Sequence, residues 1–134
     1  MRKIIAIDFD GTLCEDAWPE IGRENRAVIE VAKFEKKNGA ALILWTCRCG
    51  EMLDAAVEWC RERGLEFDAV NENLPERVAL YGTESRKVSA DEYWEDKAKI
   101  PQYVEFLYGI LYGTGESIPI GILEEEGGIF HDAG

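Results

Sequence analysis

Two carboxylates, Asp8 and Asp10, stand one residue apart in the stretch Ile4-Ile-Ala-Ile-Asp-Phe-Asp-Gly-Thr-Leu-Cys14. Four apolar residues lead straight into them, and Gly11 and Thr12 follow. Like charges at the end of an apolar run repel each other and are costly to desolvate. A cation between them, or a shared proton, removes that cost. Magnesium suits such a place, because it takes oxygen ligands and keeps waters and a substrate phosphate in its shell. Zinc would want His or Cys, and the strand ends offer only Cys47 and Cys49.

With a phosphate held there, one carboxylate can attack phosphorus and form an aspartyl-phosphate. The other can protonate the leaving oxygen and later deprotonate water. Charge on the transferring group needs stabilisation. The Thr46 hydroxyl and the Lys87 ammonium are placed in the sequence to supply it. Arg48 is open to two roles, a ligand for substrate phosphate or carboxylate and a structural salt bridge.

The elements that must position these residues follow from hydropathy. Ile4–Asp8 reads as a buried strand, Ala40–Thr46 as a second, Leu65–Val70 as a third and Lys87–Trp94 as a fourth. Glu24–Lys37 and Glu51–Arg63 read as helices. The first has Ala27, Val28, Val31 and Phe34 on one side, the second Leu53, Ala56, Val57 and Cys60. Leu13–Gly22 reads as a loop, and Asn71–Gly82 as loop with a short helical turn. Val104, Leu107, Tyr108 and Leu111 fit one face of a further helix. Strands alternating with helices predict an α/β protein, a three-layer doubly wound parallel sheet, in which ligands sit beyond the carboxyl ends of the strands. Asp8 and Asp10, Thr46, and Glu95 and Asp96 all follow an apolar run. The 134 residues suit a single domain, 1–134, with a core over about 1–100 and a C-terminal extension over 101–134.

Taken together, "DFDGT", "LILWTCR" and "RKVSADEYWEDKA" resemble, in order and spacing, the motifs of the haloacid dehalogenase (HAD) superfamily of hydrolases, in a small capless phosphatase form. The resemblance covers about residues 3–98. It implies Asp8 as nucleophile and magnesium ligand. It implies Asp10 as general acid/base, reaching the metal through its backbone carbonyl. Thr46 and Lys87 would orient and neutralise the phosphoryl group, and Gly11, Thr12, Cys47 and Arg48 would line the substrate. Asp96, with Glu95, would complete the Mg2+ site. Glu95 departs from the Asp-Asp that many members carry there. Asp91 is a rival ligand, but its place earlier on the strand suits it better to holding a neighbouring loop by hydrogen bonds. Neither the stretch from Thr12 to Ala40 nor that from Thr46 to Lys87 has room for a large cap domain.

Composition narrows the partners. The formal net charge is −12, with 27 acidic against 15 basic residues. Non-specific nucleic-acid binding needs clustered Lys and Arg, so nucleic acid is not expected. A small phosphorylated substrate is. No apolar run approaches the roughly 20 residues that span a bilayer, and no membrane association is expected. The strand-like N-terminus, with only Arg2 and Lys3 and no cleavage site, points to a cytoplasmic protein with reduced cysteines. Trp18, Trp45, Trp59 and Trp94 read as core or rim residues. An open site would be closed by a partner in a homo-oligomer or by the C-terminal segment. The sequence thus predicts a magnesium-dependent phosphomonoester hydrolase. The alternative is a non-catalytic phosphate- or metal-binding module on the same fold.

Overall fold

The structure is a computed structural model, and it describes residues 2–81, 88–95 and 101–112. A four-stranded parallel sheet is built from β1 (Ile4–Ile7), β4 (Ala41–Leu44), β5 (Ala69–Val70) and β6 (Glu92–Trp94), in the order β5-β4-β1-β6. The first two strands are the apolar runs of the sequence, and every residue in both is buried. Strands covered on both faces need no polar alternation. Ile5, Ile7, Leu42 and Leu44 point into the larger core, with Ile4, Ala6, Ala41 and Ile43 in the smaller one on the opposite face.

Helices α1 (Arg26–Lys37), α2 (Gly50–Glu62) and α4 (Gln102–Tyr112) pack on the larger core. The buried side of α1 is Val28, Ile29, Val31 and Ala32, a slight rotation from the expected Ala27-to-Phe34 face. Ala56 and Cys60 anchor α2, and Val104 and Tyr108 anchor α4. Leu74, at the entry to α3 (Pro75–Tyr81), covers the other face with Val88. The result is an α/β architecture with a parallel sheet between two outer layers. From β1 the chain steps to β4 and then β5, and afterwards returns past β1 to β6. The direction of winding therefore reverses beside β1, which makes its carboxyl end the switch point where ligands bind in such sheets.

Two strands are shorter than their sequence patterns. The third was expected over Leu65–Val70, but only Ala69–Val70 pair. Asp68 replaces the missing ladder, its carboxylate accepting from the Leu42 N–H at 2.8 Å while its own N–H donates to Leu42 O. The fourth was expected over Lys87–Trp94, and pairing begins at Glu92. Before it, the Asn73 side chain accepts from the Ser89 N–H and the Tyr93 hydroxyl accepts from the Ala90 N–H. Side-chain acceptors here satisfy N–H groups that a strand would otherwise pair.

The expected loop Leu13–Gly22 is instead most of an antiparallel hairpin, β2 (Cys14–Ala17) and β3 (Glu20–Glu24). Beyond Cys14, no residue of either strand is buried. An exposed hairpin carries no hydropathy signature, so the sequence pattern could not reveal it. Gly22 packs so closely on β2 that a Cβ there would collide with the Glu15 carbonyl. Among the described residues, no helix is long and apolar enough to cross a membrane.

Candidate functional site at the carboxyl end of the sheet

Strand β1 pairs through Ile7, and one more backbone bond, from the Asp8 N–H to Trp94 O at 2.9 Å, continues its contact with β6. The chain then turns. Phe9 drives its ring into the core, fully buried, and its carbonyl accepts from the N–H groups of Thr12 and Leu13. Gly11 makes the turn with φ 86°, a backbone conformation that side chains with a Cβ rarely adopt. Asp8 and Asp10 flank Phe9, both half-buried. Asp8 Oδ1 accepts from the Phe9 N–H at 2.8 Å.

The neighbouring strand brings Thr46. Leu44 lies opposite Ile7, and the Trp45 N–H bonds to Ile7 O, so Thr46 emerges at the same end as Asp8. Two contacts hold it. Asn71 Oδ1 accepts from the Thr46 N–H at 2.8 Å, and the Thr46 hydroxyl accepts from the Arg48 N–H at 3.1 Å. Asn71 itself sits at φ 55°, a region that asparagine tolerates better than most residues. Its support of Thr46 was not foreseen. An asparagine directly after a strand candidate was the signal that could have found it.

Among the described residues, Arg48 is the most confined charge at this end, 2% exposed. Its Nε and Nη2 grip Asp10 through both carboxylate oxygens, at 2.9 and 2.7 Å. Its remaining contacts go to the hairpin, Nη2 to Glu20 O at 2.8 Å and Nη1 to Pro19 O at 3.3 Å. The rings of Phe9 and Trp18 flank the guanidinium, each with its centroid 5.1 Å away. Hydrogen bonding to Asp10 outweighs the cost of burial and raises the Arg48 pKa above its ordinary value. Of the two roles open to Arg48, the geometry engages it in the salt bridge. Trp18, 55% exposed, is not a core residue but the cover of this pair, whereas Trp94 is wholly buried.

The other site candidates divide by position. Glu95 directly follows β6, so the register that sets Trp94 opposite Ile7 places it at the end that carries Asp8. Asp91 lies at the opposite end. Its Oδ2 accepts from the Ile4 N–H at 2.7 Å and its Oδ1 from Arg77 at 2.8 Å. The Ile4 bond, helped by Arg77, holds its pKa below the ordinary aspartate value. About 13 Å of strand separates Ile4 from Asp8, so Asp91 cannot share a metal with Asp8. Thr12 is fully buried, and its hydroxyl has no hydrogen-bond partner among the described residues. Cys47 and Cys49 are exposed free thiols, and Cys60 is a core thiol whose pKa burial raises to about 12. Lys87 and Asp96 lie outside the described residues.

The donors gathered here are carboxylate, hydroxyl and carbonyl oxygens, a set suited to magnesium rather than to a softer metal. Among the described residues, no three His, Cys, Asp or Glu side chains cluster as a ready metal cage. Magnesium does not require one, since a carboxylate or two, waters and a phosphate complete its octahedron.

Comparison with known proteins gives one informative match. The chain is similar to the solved structure of a conserved protein from Bacteroides thetaiotaomicron, with 40% sequence identity and a TM-score of 0.69. The match covers 84% of this chain and 92% of that one. No family model and no curated protein matches.

Proposed function

The chain belongs to the same family as that conserved Bacteroides thetaiotaomicron protein, and we propose that it is a magnesium-dependent phosphomonoester hydrolase of HAD type, acting through an aspartyl-phosphate. The observation that carries this reading is the placement of Asp8, Asp10 and Thr46 together at the carboxyl ends of β1 and β4, beside the point where the sheet reverses its winding. The motif order in the sequence supports it.

Asp8 is the nucleophile. One of its carboxylate oxygens bonds to phosphorus as the bond from phosphorus to the ester oxygen breaks, and Asp10 gives that oxygen its proton. Asp10 then takes a proton from a water whose oxygen attacks phosphorus. The bond to Asp8 breaks, and inorganic phosphate leaves. The Thr46 hydroxyl, which accepts from the Arg48 N–H while Asn71 holds the Thr46 backbone, donates to a phosphoryl oxygen, with Lys87 in the neutralising role. Magnesium would be held by the Asp8 carboxylate and the Asp10 carbonyl, with Asp96 and Glu95 completing the set. It would supply charge neutralisation of the phosphate. The net charge of −12 favours a small phosphorylated metabolite over nucleic acid as substrate.

A binding-only module is the second reading. The Arg48 grip favours it, because it occupies both oxygens of the proposed acid/base. Hydrolysis of p-nitrophenyl phosphate and a panel of sugar phosphates, with and without magnesium, separates the two. The hydrolytic reading expects magnesium-dependent turnover that Asp8→Asn abolishes. Magnesium-dependent phosphate binding without turnover across the panel would establish the binding module. Light scattering after size exclusion tests whether a homo-oligomer encloses the site.

A further inference from the structure

Arg48 is bonded at once to the acid/base candidate and to the tip of the hairpin. Three of its four side-chain hydrogen bonds are 2.9 Å or shorter, two to Asp10 and one to Glu20 O, and the fourth reaches Pro19 O. Among the described residues, the hairpin is otherwise held by Ile21 packed on the edge of the core and by the partly exposed Glu24–Arg63 pair at its base. Beyond Cys14 its strands are exposed except for the half-buried Ile21 and Gly22, and its internal ion pair, Arg23 with Glu15, joins side chains that are 80% and 60% exposed. Such a pair contributes little. The Arg48 pair differs in burial, in its bidentate geometry and in the aromatic rings on either side.

We propose that Arg48 is a latch that positions Asp10 and closes the β2–β3 hairpin in a single act, so that neither can be released without the other. The physical reason is donor chemistry. A guanidinium only donates hydrogen bonds, and one rigid fork carries both Asp10 oxygens and both hairpin carbonyls. Displacing that fork from Asp10 therefore displaces it from the hairpin carbonyls as well. Trp18 leaves with the hairpin, because its ring stacks on the latch. The acid/base role of Asp10 rests on the hydrolytic reading, whereas the latch rests on geometry alone.

Hydrogen–deuterium exchange by mass spectrometry tests it on the full chain, in wild type, Arg48→Lys, Asp10→Asn and the double variant. Lysine keeps the charge but loses the fork and the stacking plane. Hairpin peptides covering residues 14–24 are expected to exchange roughly tenfold faster or more in each single variant. The double variant should exchange no faster than the faster single one, and peptides from α1 and β4 should match wild type. Gly22→Ala, which forces the hairpin off the Glu15 carbonyl, should give the same hairpin pattern. Wild-type hairpin exchange in a folded Arg48→Lys protein overturns the latch. So does a double variant whose acceleration is the product of the two singles. Should Arg48→Lys fail to fold, Asp10→Asn decides alone, since unchanged hairpin exchange there also overturns it. None of these readouts depends on turnover, so a failed latch and a failed hydrolase are told apart.

Discussion

Glu92 and Asp10 are both ion-paired, and they lie at opposite ends of the same sheet. Glu92, at the amino end, receives Lys3 at 2.9 Å, the Tyr103 hydroxyl at 2.6 Å and the Trp94 indole at 2.9 Å. These partners come from the lead into β1, from α4 and from its own strand. The network therefore ties the last described helix to the sheet. Asp91 beside it holds the first N–H of β1. At the carboxyl end, the Asp10 carboxylate has one partner among the described residues, and that partner is shared with the hairpin. Carboxylates at the amino end thus connect framework to framework, while those at the carboxyl end connect framework to a part that can move away. Substitutions at the first should cost stability, and substitutions at the second should cost chemistry.

The largest effect tests that division directly. Asp8→Asn should lower turnover by about a thousandfold or more, because a carboxamide cannot serve as the nucleophile. Its urea midpoint should stay close to wild type. A large loss of stability without a specific loss of turnover would erase the contrast between the ends.

Glu92→Ala is the mirror experiment. It strips the acceptor from Lys3, Tyr103 and Trp94 and should cost about 1–3 kcal/mol in urea unfolding. Partial exposure of Lys3 pulls the value toward the lower end. Turnover at saturating substrate should be unchanged, and a fall of tenfold or more would show that the two ends are not separate.

Acid sharpens the same comparison. Burial alone would raise the Glu92 pKa, but the bonds from Lys3, Tyr103 and Trp94 prevail and leave it below the ordinary glutamate value. A carboxylate depressed in the folded state stabilises above its unfolded pKa, about 4.3, and loses that contribution as pH falls through the folded value. Glu92→Gln should therefore flatten the decline in stability between about pH 5 and pH 3. Identical acid limbs for the variant and wild type would remove Glu92 from the account.

The smallest effect lies within the hairpin. Arg23→Ala should change stability by less than about 0.5 kcal/mol, because its pair with Glu15 is exposed. A larger loss would mean that the hairpin holds itself down without Arg48.

How much of this was legible in the sequence depended on the kind of signal. β1 and β4 were legible because strands buried on both faces are continuous apolar runs, and the site residues that follow those runs came with them. Asp91, a rival ligand in the sequence, is bonded to the Ile4 N–H and to Arg77 at the amino end of the sheet. The hairpin was not legible, since exposed strands have no hydropathy pattern, and the ends of β5 and β6 were hidden because Asp68 and Asn73 satisfy backbone groups through side chains. The Arg48–Asp10 pair joins residues 38 apart in sequence, and only the tertiary fold brings them together. Lys87 and Asp96 lie outside the described residues, so their roles still rest on motif order.

The most direct test of the central claim is to catch the phosphoryl group on Asp8. Wild-type protein turning over p-nitrophenyl phosphate with magnesium is quenched in acid, digested and examined by mass spectrometry. The account predicts one added phosphoryl group on the peptide that carries Asp8, absent from Asp8→Asn. Sustained turnover with no label on that peptide, and undiminished in Asp8→Asn, would contradict it.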